Sequence, residues 1–135
     1  MIMDFTQYLA AVLPCVWPWL LSLLILGLTL SGRSAVHMLK IDQQQASYLA
    51  MCCTWCSVCI CGPISLYVPL WSFINIPIYY VLALGMHAYI ASKIVPEVSA
   101  TKRWRWAWAA NFRVIMWSTI AWMICLMPGL GFLMR

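Results

Sequence analysis

Hydrophobic positions run along this chain in long unbroken stretches, and polar ones gather at a few borders. From Gln43 to Ser92 no Asp, Glu, Lys or Arg occurs. A transmembrane helix needs about 20 apolar residues to cross a hydrocarbon core of roughly 30 Å, so this stretch is too long for one crossing and fits two joined by a turn. The first crossing, over 46–68, contains Gly62-Pro63, which predicts a kink, and ends at Pro69. The second, over 76–95, opens on Asn75 as a cap with Pro77 in its first turn and closes before Pro96. Together they form a tight hairpin whose turn lies between Pro69 and Pro77.

Two more runs flank the hairpin. Tyr8 to Leu30 carries no charge and predicts a span over 8–30, capped by Asp4 or Thr6, bent by Pro14 and Pro18 and ended by Ser31-Gly32. The start Met1-Ile2-Met3-Asp4 lacks the basic residues of a signal peptide, so this run reads as a retained helix. Arg33 to Gln45 then reads as a polar loop. The last span, over 106–127, breaks at Pro128-Gly129. The expected fold is an all-α integral membrane protein with a single domain, 1–135, of about four transmembrane helices. Three crossings are the alternative, if the first helix lies in the interface.

Composition supports the membrane reading. The chain is 65% hydrophobic and 8% charged, against roughly 25% charged residues in soluble domains. In lipid every backbone group must be paired internally, which favours helices for runs of this length. Arg33, Lys40, Lys93, Lys102, Arg103 and Arg105 all flank the loops after the first and third spans. Lys/Arg excess marks the cytoplasmic or matrix side, so both termini are expected on the opposite side. These basic loops also account for the net charge of +5 through anionic lipid, without nucleic acid.

Five of the seven cysteines, Cys52, Cys53, Cys56, Cys59 and Cys61, form a run that reads C-x-x-C twice in succession. Thiol exchange needs an accessible thiolate and a second pair, and cluster ligation needs four converging sulfurs. Cys15 and Cys125 are isolated. On a helix Cys52, Cys56 and Cys59 fall within about 60° of one another, a small-residue stripe, with Ser57 and Thr54 nearby, of the kind membrane helices use for close approach. Trp104, Trp106 and Trp108 interleave with Arg103 and Arg105 where the last span begins, which reads as an interfacial belt. Lys93, Lys102, Arg103, Trp104, Arg105 and Trp106 make a candidate anionic-lipid site.

His87 and Arg113 lie at equal distance from the loop centred near residue 100 and so at similar depth in antiparallel spans. A charge inside a membrane helix costs about 2.5–3.5 kcal/mol on insertion scales and faces a partner or the bundle interior. Three readings follow. Arg113 reaches toward the basic side while a neutral His87 bonds a helix carbonyl; or both, with Lys93, hold a lipid phosphate; or His87 ligates a haem b iron with Arg113 on a propionate. The run Met86-His87-Ala88-Tyr89-Ile90-Ala91, followed by a polar loop and another span, is similar to the haem-ligating helix of succinate dehydrogenase membrane-anchor subunits. That resemblance implies His87 as an axial ligand.

No phosphate-binding glycine loop, no H-x-x-x-H pair and no acid within a predicted span is present, which argues against an NTPase, a zinc site and a carboxylate proton relay. The expected role is therefore non-enzymatic: an accessory or assembly subunit of a larger inner-membrane, respiratory-type complex, with other subunits and anionic phospholipid as partners. A haem or quinone anchor and a self-assembling, holin-like pore are the alternatives. An inner mitochondrial membrane fits slightly better than a bacterial plasma membrane on cysteine usage.

Overall fold

A computed structural model describes the backbone of residues 5–67 and 75–133 and, within them, the side chains of 17–60 and 77–124 with a few others. The expected cap Asp4, most of the hairpin turn, Arg135 and the side chains of Cys15, Cys61 and Cys125 lie outside the described residues. Among those described, the chain is all-helical. In order come α1 (Phe5–Leu26), a π-helical turn (Gly27–Ser31), α2 (Gly32–Leu39), α3 (Gln43–Tyr67), α4 (Asn75–Ile94) and α5 (Ala100–Leu133).

The first predicted span does not stop at Ser31-Gly32. Ser31 and Gly32 both keep helical dihedrals, so α1, the π turn and α2 form one rod. The stretch read as a polar loop is half helix because its polarity is periodic: Arg33, His37 and Lys40 are exposed, whereas Ser34, Ala35 and Leu39 are buried. That is the one-sided pattern of an amphipathic turn of helix. The rod ends at Lys40, whose φ of 56° and ψ of 42° are left-handed. Asp42 then caps α3: its Oδ2 accepts from Gln44 N at 3.2 Å and its carbonyl from Ala46 N at 2.9 Å. The glutamines join the first turn of α3 rather than a loop, α3 continues through Pro63, and α5 runs on past Pro128-Gly129 to Leu133.

Four rods pack in a square. The first rod lies against α3 and α5, and α4 lies against the same two. Residues beside both short turns, Leu39 and Ala46 on one and Val95 and Trp106 on the other, share one buried cluster. Both basic turns therefore sit at the same end, as an up-and-down bundle requires. A second cluster, Trp19, Leu23, Tyr79 and Val114, lies further along the rods.

Inward-facing residues recur every fourth position: Gly27, Ser31 and Ala35 on the first rod; Ala46, Ala50 and Thr54 on α3; Ala83, His87 and Ala91 on α4. Small residues at this spacing let helix backbones approach closely. Large apolar side chains point the other way, with Ile25 54%, Trp55 53%, Val81 66% and Ile124 64% exposed. Trp17–Leu39 is the stretch that, among the described residues, is long and apolar enough to cross a membrane.

Candidate functional site

Between the two apolar clusters the bundle is crossed by a polar layer. Ser31 comes from the π turn, Thr54 and Ser57 from α3, His87 from α4 and Asn111 from α5; all five line one cavity of about 20 Å³. Its position follows from local structure. The π turn is a widened helical turn, a feature that recurs at functional sites, and its two buried residues, Gly27 and Ser31, both border the cavity. Gly27 lets α3 come so close that Thr54 occupies the space a side chain would need.

His87 is 4% exposed. Its Nδ1 lies 2.8 Å from the carbonyl of Ala83, one turn back. A carbonyl can only accept, so Nδ1 carries the proton and Nε2 keeps a lone pair in the neutral ring. The ring tilts against Trp106 at 5.9 Å between centroids. This is the plainest of the three arrangements expected for His87. Asn111, also buried, donates Nδ2 to Ala107 O at 2.9 Å.

Arg113 takes a different partner. It is exposed on α5, and its Nη1 donates to Ser34 Oγ on α2 at 3.2 Å. Asn111 is the residue of α5 that borders the cavity with His87. The turn between α4 and α5 is centred near residue 97 rather than 100, which sets His87 opposite Trp106 and Ala107 and leaves Arg113 about 9 Å further along α5. Arg113 also follows Asn111 by two positions, about 200° around the helix, and points away.

The fit of a haem can be judged from this geometry. Pockets for cofactors and other ligands run to about 300–1,000 Å³, whereas the cavity beside His87 measures about 20 Å³, and Arg113 is not placed to meet a propionate there. The residues around His87 do not fit a porphyrin.

The candidate lipid residues divide. Lys93, Lys102, Trp104 and Arg105 are exposed near the basic end, Lys93 with its Nζ 5.6 Å from the centre of the Tyr89 ring. Arg103 instead ties the α4–α5 turn together, its Nη1 donating to the carbonyls of Val95, Pro96 and Val98. Trp106 is fully buried. Tryptophans at i, i+2 and i+4 cannot share a helix face: Trp104 and Trp108 point outward, and Trp106, about 200° from Trp104, points in.

The cysteine stripe is likewise turned. Cys53 is buried with Leu49 and Ala50, Cys52 and Cys56 are half-buried, and Cys59 is exposed. All four are free thiols. The packing line of α3 within this bundle is Ala46, Ala50 and Thr54, so Cys52, Cys56 and Cys59 lie toward its flank. No His/Cys/Asp/Glu group suited to a metal ion occurs among the described residues.

Sequence reasoning singles out His87 of the polar layer, sets Thr54 and Ser57 only beside the cysteine stripe, takes Ser31 as a helix end and does not join the four. The signal that could have found it is the four-residue recurrence of small residues, with Thr54 and Ser31 standing in two of those lines.

No protein-family model, curated protein or solved structure matches this chain.

Proposed function

We propose that the chain is a four-span membrane protein and serves as a non-catalytic accessory or assembly subunit of a larger inner-membrane complex. The observation that carries this reading is the apolar exterior of the bundle. Trp, Ile, Val and Phe face outward on the rods, while a layer of serine, threonine, histidine and asparagine lies inside between small-residue packing lines. In water an apolar surface of this extent marks a membrane or a protein interface; in lipid it is the ordinary exterior, and small-residue lines provide the packing.

The cations support the orientation. Lys102 and Arg105 stand exposed at the end that holds both short turns, suited to the headgroups of a matrix- or cytoplasm-facing leaflet. The inner mitochondrial membrane is the preferred setting. Partner subunits are sought because α5 presents Trp108, Phe112, Met116 and Trp117 outward along its length, a broad aromatic face on a very small bundle.

Purification of the tagged chain from native membranes in mild detergent, with identification of the chains that accompany it, tests the proposal. A reproducible set of different membrane subunits is the expected result. A stable lone monomer, or an assembly of this chain alone, would count against it.

A further inference from the structure

Hydroxyl groups on helices ordinarily satisfy themselves by bonding a carbonyl one turn back. Here Ser22 does so to Trp19 O at 2.8 Å, Thr29 to Ile25 O at 2.9 Å, Ser92 to Tyr89 O at 2.6 Å and Thr119 to Ile115 O at 2.8 Å. Ser31, Thr54, Ser57 and Ser118 behave differently: the hydroxyl of each is buried and has no protein hydrogen-bond partner among the described residues. The first three line the cavity of the polar layer, from two different rods. Ser31 is 1% and Thr54 3% exposed.

A buried hydroxyl without a partner is costly, and native structures answer such groups with protein or with ordered water. A water needs roughly 10–15 Å³ of free volume and two to four polar partners. The cavity provides about 20 Å³, enough for one such molecule and too little for a larger ligand. His87 borders the same space, and with its Nδ1 proton given to Ala83 O its Nε2 has a lone pair to offer.

We infer that the bundle core is a binding site for a single water molecule, held by the hydroxyl of Thr54 beside the imidazole of His87, in the cavity that Ser31 and Ser57 also border. The aromatic pair Trp19 and Tyr79, with ring centroids 5.3 Å apart, lies in the apolar cluster on one side, and Trp106 in the cluster on the other.

Two measurements on the detergent-solubilised chain decide this. Thr54→Val keeps the shape of the side chain and removes the hydroxyl. If Thr54 binds water, the substitution lowers the midpoint of thermal unfolding by about 4 °C; if the cavity is dry, removing an unpaired hydroxyl raises it. Radiolytic hydroxyl labelling of the unaltered chain gives an answer even if Thr54→Val does not fold. Radicals formed from a bound water oxidise the residue beside it, so buried His87 is expected to react at a rate comparable with exposed His37. A raised midpoint, or His87 protected to the level of buried Leu49, overturns the inference.

Discussion

A carbon placed on Gly27 in the position of a Cβ would stand 2.6 Å from Oγ1 and 2.7 Å from Cγ2 of Thr54. The first rod and α3 thus touch backbone to side chain at the level of the polar layer. Gly27→Ala is expected to destabilise the bundle by about 2 kcal/mol, the usual cost of overpacking a close contact. Adding Thr54→Ala should recover most of that loss, because the two positions are coupled through one space. Gly85→Ala is the control: nothing lies within 4 Å of its added carbon, and a gain of about 0.5–1 kcal/mol is expected from helix propensity. Thermal unfolding in detergent of the three variants and the parent checks the order.

Arg103 and its neighbours should separate folding from lipid binding. Arg103→Ala removes the donor to three turn carbonyls and should cost about 1.5–3 kcal/mol, seen as faster amide hydrogen exchange at 95–99. The paired change Lys102→Ala with Arg105→Ala touches exposed side chains only. It is expected to leave stability within about 0.5 kcal/mol and to reduce the anionic phospholipid retained in native mass spectrometry. If the paired variant keeps its lipid in full, the proposed headgroup contact is wrong.

The three-residue turn after α2 contains two effects of opposite sign. Asp42→Ala deletes the cap of α3 and should cost about 1 kcal/mol. Lys40→Gly relieves a left-handed residue; after the extra flexibility of the unfolded chain is counted, a gain of roughly 0.5 kcal/mol remains. A pair of melting curves, one shifted down and one up, is the expected outcome.

His87→Ala is expected to leave the visible absorption spectrum of the purified chain unchanged, since the cavity beside His87 does not admit a porphyrin. A b-type haem band lost on this substitution would show that the core opens far beyond its present size.

The helical character of the chain and the positions of its two basic turns were legible in the sequence because both depend on length, hydropathy and proline, which are read along the chain. The errors arose at Pro128-Gly129, which α5 passes without a break, and where phase around a helix decides the outcome. Arg33 and His37 looked like a loop when counted and are one face of α2 when plotted. Trp106 looked like a belt residue beside Trp104 and Trp108, yet a two-residue offset turns it into the core. Arg113 was set at the level of His87 by a turn centred near residue 100, and the turn lies near 97, so the two differ in depth as well as in angle. Thr54 reads in the sequence as a neighbour of the small-residue stripe and Ser31 as a helix end, because a single hydroxyl in an apolar run has no linear signature of a core, and their importance comes from bordering one cavity from two rods.

The π turn at Gly27–Ser31 sets that phase for the first rod. A π turn takes in about one residue more per turn than an α-helix, so it offsets the phase of everything beyond it. Drawing 27–31 into regular α-helix with no residue removed would therefore swing Ala35 and Leu39 off the cluster they share with Ala46, Val95 and Trp106, with composition and hydropathy unchanged. The chain is in this respect tuned like a screw thread: the two halves of its first rod engage the same bundle because a single extra residue has been wound in between them.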